Sequence, residues 1–244
     1  MPEKEPVLSK WHKEEEVGDE RIADGFVSGE TGKQMGVRRK SFETPEGEKF
    51  YVYKEVRNLQ EAKDSMEIYQ NMKTAGLPVV EFAKIIKKKS ESGDNEFVIA
   101  MEDLTEGGNI IVISLSEGED PEFSTQAHVR REDIPFEIKE QMIHALAVIH
   151  DHDMYDYHPG ISFVIRTEDT GGGSVGVFDF KIIDYANFMT RAKKKRVEER
   201  QQMKEKPFEQ DCQDDLRVLL RGIVVNDQEQ EHLINLYRKS RIQK

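Results

Sequence analysis

Period-two alternation marks the strands of this chain. Over residues 50–56, Phe50, Val52, Lys54 and Val56 fall on one face, with Tyr51, Tyr53 and Glu55 on the other. Residues 82–86, 97–101, 110–115 and 161–166 are short runs of strand length, and residues 178–184 alternate before closing on Ile182-Ile183-Asp184. Turn signals separate these runs: Thr44-Pro45-Glu46-Gly47, the polar stretch from Lys87 to Asn95, and Gly171-Gly172-Gly173. Helical spacing takes over elsewhere. Residues 58–75 carry Ala62, Met66, Tyr69 and Met72 on one stripe and stop at Gly76, with Pro78 two positions beyond. Residues 135–150 repeat Ile138, Met142, Ile143, Leu146 and Ile149 at the same period. Residues 191–206 are polar all round, residues 208–225 are amphipathic, and residues 229–241 make a last helix.

Composition changes the picture in three places. Residues 1–20 hold ten charges and only one bulky side chain, Trp11, so they read as a mobile or loosely docked leader. In 244 residues, 36% apolar against 34% charged gives a modest core under a heavily charged surface, enough for one domain of two lobes or two small domains. The net charge of −12 argues against general nucleic-acid binding. The single cysteine, Cys212, excludes an intramolecular disulfide framework and fits a cytoplasmic or other reducing compartment. No run approaches the roughly 18 apolar residues of a membrane span, so a soluble protein with no membrane partner is expected.

Candidate chemistry sits at the strand ends. Asp184 closes a strand and is followed by Tyr185-Ala186, a place where a carboxylate meets a hard cation that also takes phosphate oxygens. Its alternative role is to cap a turn. Lys54 lies on the Phe50–Val56 face, where an ammonium needs either an anion or a path to water. Gly25, Gly29 and Gly32 fall within eight positions in a predicted hairpin, which suits either a loop covering phosphates or an ordinary turn. The spacing ahead of Lys33 is not that of a P-loop. Residues 151–160 (Asp151-His152-Asp153-Met154-Tyr155-Asp156-Tyr157-His158-Pro159-Gly160) are dense in groups that titrate or ligate.

The order of these parts resembles the protein-kinase-like superfamily over about residues 20–220. The sequence is similar to small atypical kinases and to the lipopolysaccharide, choline and aminoglycoside kinase group. The motifs are a glycine hairpin, a strand lysine, an acidic helix and a strand running into Met101-Glu102-Asp103-Leu104. A helix ending in Ile149-His150, a His/Asp-rich loop and Ile182-Ile183-Asp184 complete the set. The resemblance implies an α+β, two-lobed fold: a leader at 1–20, an N-lobe at 21–104 with an antiparallel sheet and one helix, and a reduced helical C-lobe at 105–244. It implies that Lys54 holds the phosphates of ATP, with Glu61 or Asp64 as its ion-pair partner. Gly25 and Gly29 would cover the nucleotide, and Met101, Glu102 and Leu104 would form the adenine-facing hinge. Asp184 would bind Mg²⁺.

The catalytic loop departs from the family's H-R-D-x-x-x-x-N. Counted from His150 without gaps, His158 takes the aspartate position and Phe163 the asparagine. With a two-residue deletion, Asp156 takes the aspartate position and Ile161 the asparagine. Asp156-Tyr157-His158-Pro159-Gly160 resembles the loop of small-molecule kinases and favours the second alignment. Neither supplies the asparagine, for which Ser162 or Asn187 is the available oxygen ligand. No Ala-Pro-Glu follows Asp184, and residues 211–220 would be the one core helix of a trimmed lobe. Bacterial effector kinases are trimmed in this way, which extends the reducing compartment to a host cytosol. The basic run from Arg191 to Arg196 is either a solvated helix or a docking face. Three functions follow: transfer of the γ-phosphoryl group of ATP to a hydroxyl of a protein or small molecule, a pseudokinase serving as an interaction module, or an unrelated α+β adaptor.

Overall fold

Thr44 and Gly47 stand opposite each other across the turn signalled by Pro45, and the register they set runs back to Val37 opposite Lys54. The computed structural model describes residues 15–27, 34–44, 47–81, 83–89, 95–104, 109–114, 131–156, 162–169, 175–183, 185, 188–201 and 206–241. Strands β1 (Glu15–Val27), β2 (Gln34–Thr44), β3 (Gly47–Val56), β4 (Ala83–Lys89) and β5 (Asn95–Glu102) form one antiparallel sheet in the order β1-β2-β3-β5-β4. Helix α1 (Leu59–Thr74) lies between β3 and β4 in the chain. Further on come β6 (Asn109–Ser114), a 3₁₀ turn at Arg131–Asp133, α2 (Phe136–Asp151), β7 (Met154–Asp156), β8 (Ser162–Asp169), β9 (Val175–Ile182) and β10 (Phe188–Thr190). Three helices close the chain: α3 (Arg191–Gln201), α4 (Phe208–Ile223) and α5 (Asp227–Ser240). The architecture is therefore α+β, with an antiparallel sheet in the N-terminal part and helices in the C-terminal part.

The described residues separate into two compact units. One takes those up to Met66 together with Glu81–Glu106, and the other takes Glu67–Val80 and those from Gly107 onward. In the first unit Phe42, Tyr51, Tyr53, Val98 and Ala100 form a buried cluster with Ile86 packed against it. Each large apolar side chain there removes enough surface from water to contribute about 1.5–3 kcal/mol. The cluster lies on the Tyr51/Tyr53 face of β3, while the opposite face pairs Lys54 with the buried Ile99. As an interior strand β3 has both edges hydrogen-bonded, and burial falls on both of its faces: Tyr51 and Tyr53 on one, Val56 on the face read as the apolar stripe.

The second unit is built around α2. Met142, Ile143, Leu146 and Ile149 are fully buried, and α2 packs against α4 and α5, whose own core residues include Leu219, Ile223 and Leu233. The segment Leu77–Val80 belongs here as well. Ile182 donates its N–H to the Pro78 carbonyl at 2.7 Å, and Val79 makes a parallel bridge to Ile182. Gly76 directs the chain into that segment. Its φ of +75° closes α1 through Leu77 N–H to Met72 O at 3.0 Å and Gly76 N–H to Lys73 O at 3.1 Å.

Several elements differ from the sequence pattern. Residues 15–20, read as leader, are the first half of β1, where Asp19 stands opposite Lys40 and Glu20 opposite Arg39. An edge strand with little apolar signal of its own is held there by its antiparallel backbone pairing with β2. Lys87–Lys89, read as turn, continue β4. β7 and β10 are three-residue strands that pair only with each other, too short for periodicity to announce. Among the described residues no helix is long and apolar enough to cross a membrane.

Candidate functional site

In the first unit, the interior position of β3 fixes Lys54 opposite Val37 on β2 and Ile99 on β5, half-buried. The two acids expected as its helix partner sit on the first two turns of α1. Glu61 is engaged by Arg57, whose backbone N–H reaches Oε2 at 2.6 Å and whose guanidinium follows at 3.2 Å. Asp64 Oδ1 accepts from the Gln60 amide at 2.8 Å. Helix α1 starts cleanly because the Asn58 side chain caps the Glu61 N–H at 2.9 Å.

At the end of β5, Met101 is buried and Glu102 accepts the Glu81 N–H at 2.6 Å. Leu104 is half-buried just beyond. Asp103, which no motif singled out, is 5% exposed and takes the Arg39 Nε at 2.5 Å. Arg39 in turn stacks over the Phe50 ring, 4.2 Å from its centroid. Gly25 lies within β1. Gly29, His158, Asp184 and Asn187 lie outside the described residues, as does the side chain of Ser162, whose backbone opens β8. Among the described residues no group of three His, Cys, Asp or Glu is placed to hold a metal ion.

The second unit brings together groups that the sequence did not connect. Helix α2 ends at Asp151, and Asp153 takes a left-handed turn (φ 55°) that sends the chain into β7. The turn is held by Arg191 N–H to Asp153 O at 2.7 Å, and β7 then pairs with β10, Asp156 opposite Phe188. Asp156 is 2% exposed, and its backbone N–H donates to Oδ2 of Asp215 on α4 at 3.0 Å. His150, at the end of α2, lies 3.2 Å from the same oxygen through Nε2. Its Nδ1 meets the Tyr237 hydroxyl of α5 at 2.6 Å, and that hydroxyl accepts from Arg241 Nη1 at 2.7 Å.

Burial governs the charges in this cluster. It lowers the His150 pKa below the usual imidazole value, with Asp215 pulling the other way, and it raises that of Asp215, with His150 opposing. Both shifts have the same cause, since a dry interior disfavours each charged form. The Oδ1 of Asp215 is buried with no hydrogen-bond partner among the described residues. A second buried charge lies close by: Lys194 on α3 is paired with Asp211 and donates to the Lys206 carbonyl at 2.8 Å. Asp211 also holds Lys206 at 3.0 Å. A separate open cleft of about 590 Å³ is lined by Leu77, Pro78, Glu140, His144, Phe180 and Leu236.

Asp215 and Tyr237 were missed because each is a polar group in a helix whose partners lie far away in sequence, His150 being 65 and 87 positions off. The available signal was the high helical amphipathicity of residues 208–225, which places Asp215 on the buried stripe with Leu216 and Leu219.

No family model matches the chain, and no curated protein matches it. Solved structures do resemble it. The Neurospora crassa PAN3 pseudokinase overlaps with a TM-score of 0.43 at 12% identity, over 98% of this chain and 55% of that one. A mutant of that pseudokinase gives 0.39 at 12% identity, over 93% and 54%. A complex of Neurospora crassa PAN2 (WD40-CS1) with PAN3 (pseudokinase and C-term) gives 0.40 at 12% identity, over 98% and 55%. The chain thus spans about half the length of these pseudokinase structures, and at this overlap the likeness assigns it neither activity nor partner.

Proposed function

We propose that this chain is an interaction module built on a kinase-like fold, not an efficient phosphotransferase. One observation carries the reading. Asp156, the residue that would orient an acceptor hydroxyl, is 2% exposed and sits in β7 with its amide tied to Asp215. A general base has to come within hydrogen-bond reach of the proton it takes. A carboxylate buried to this extent is shut off from a hydroxyl arriving through solvent, and its site serves to fix a strand.

ATP with Mg²⁺ is the ligand to test at the first unit. Lys54 supplies the cation for the phosphates, half-buried on an interior strand. Glu61 is committed to Arg57, which leaves Asp64 as the acid to pair with Lys54 in this proposal. The metal, when bound, would neutralise charge on the phosphate oxygens.

Two measurements test the reading. Thermal shift with ATP and Mg²⁺, compared between wild type and Lys54→Ala, reports nucleotide binding. Incorporation of labelled γ-phosphate into the chain and into a panel of hydroxyl acceptors reports turnover. The expected result is no incorporation above that of Asp156→Ala. Incorporation lost in Asp156→Ala would overturn the proposal, and incorporation lost in His158→Ala would restore a phosphotransferase with His158 at the base position.

A further inference from the structure

The polar line through the second unit runs in one direction only. Arginine has donors and no acceptor, so the 2.7 Å contact is Arg241 N–H donating to the Tyr237 oxygen. The hydroxyl proton of Tyr237 is then left to point at its other neighbour, Nδ1 of His150, at 2.6 Å. That makes Nδ1 an acceptor and puts the imidazole proton on Nε2. From there it donates to Asp215 Oδ2 at 3.2 Å, the same oxygen that receives the Asp156 N–H. The opposite tautomer would leave the buried tyrosine proton with no acceptor and set a nitrogen lone pair against a carboxylate oxygen. Burying either of those is costly.

The outer end of this line is wet and the inner end is dry. Arg241 keeps 22% of its side chain exposed, pairs with Asp151 at 2.8 Å, and borders an open cleft of about 870 Å³ beside Arg191, Lys195 and Phe208. His150 and Asp215 are both essentially inaccessible.

We propose that Tyr237 and Arg241, on the final helix, are positioning residues for β7: they hold the His150 proton on Nε2, which steadies the Asp215 carboxylate that anchors the Asp156 amide. Helix α5 thereby governs a strand more than 80 residues earlier in the chain without touching it through its backbone. The inference is independent of whether the chain turns over nucleotide, because it concerns how β7 is held and not what passes by it.

The test uses the full chain with ¹⁵N-labelled histidine. His150, assigned by comparison with His150→Gln, should show a protonated Nε2 and an unprotonated Nδ1 at neutral pH. In Tyr237→Phe the ring and its packing remain while the donor to Nδ1 is lost. The Asp156 amide should then exchange with solvent roughly tenfold faster. The amide of Leu146, buried on α2 in the same unit, should keep its wild-type rate. A purely structural role would speed both amides together. Finding the His150 proton on Nδ1 in the wild type, or unchanged Asp156 exchange in Tyr237→Phe, would overturn the proposal. Should Tyr237→Phe fail to fold, the wild-type tautomer decides it alone.

Discussion

Lys139 on α2 and Glu229 on α5 form an ion pair of 2.8 Å whose side chains are only 3% and 11% exposed. Glu229 does more than balance that charge. Its Oε2 accepts the Val225 N–H at 2.6 Å, while Asn226 caps the Glu229 N–H at 3.0 Å, so one carboxylate closes the start of α5 and pins it to α2. Glu229→Ala removes the cap contact and strands a buried ammonium. It should cost about 3 kcal/mol in urea denaturation, whereas Lys139→Met, which removes the charge with its hydrocarbon stem kept, should cost less than half of that. Equal losses for the two variants would contradict this account.

Lys194 and Asp211 should behave asymmetrically in the same way. Asp211 is the shared acceptor of Lys194 and Lys206, so Asp211→Ala weakens both at once and leaves Lys194 to Glu198 at 3.5 Å and Lys206 to Asp214 at 2.6 Å. Lys194→Met leaves Asp211 its pair with Lys206. The expected losses are about 2–3 kcal/mol for Asp211→Ala and about 1 kcal/mol for Lys194→Met, read from denaturation midpoints at constant m-value.

The pH dependence of stability should carry the signature of His150. Its folded pKa is lowered from 6.5, first by burial and further by Arg241, against the upward pull of Asp215 and Glu209. The unfolded chain therefore takes up the proton first. The stability this imidazole contributes, whole above about pH 6.5, is lost as pH falls below that value and stops falling at the folded pKa. Asp215 acts in the opposite sense. Its folded pKa is raised from 3.8, mainly by burial, so acidification through the raised value relieves a cost. His150→Gln removes the first effect and also the His150 pull that opposes the rise at Asp215, which works in the same direction. The advantage of wild type over this variant should be largest near neutral pH and shrink on mild acidification, and a gap that stays constant across the series would rule the argument out.

Cys212 should be inert in the folded protein. Burial pushes its thiol up to about 12, with Arg241 opposing, and its side chain is inaccessible. The thiolate is the reactive species. A disulfide reagent at mildly alkaline pH should therefore label the chain only in denaturant, and rapid labelling of the native protein would contradict the burial of α4.

What the sequence disclosed tracks the length of its periodic signals. Residues 135–150 predicted α2 to within one residue at either end, and residues 229–241 overlapped α5 almost completely, because several turns of apolar spacing outvote local ambiguity. The β2–β3 hairpin was equally legible from Pro45 and Gly47. Polar groups that act in the interior were not. His150 meets Asp215 across 65 positions and Tyr237 across 87, and nothing local to any of the three marks it as dry. Asp215 sits in the run Asp211-Cys212-Gln213-Asp214-Asp215, where only helical phase separates the inward acids from Asp214, which is left nearer to solvent. Glu61 and Asp64 were named as possible partners of Lys54 from helical spacing, which does not show that the nearby Arg57 engages Glu61.

The tie between Pro78 and Ile182 bears on how this protein can be divided. A polypeptide severed after Glu106 would carry Leu77–Val80 away with the N-terminal piece, stripping β9 of its main-chain bond to Pro78 and Tyr185 of the Val80 amide. The two products would be complementary fragments and not free-standing domains, each regaining its full set of backbone pairs only when the other is supplied.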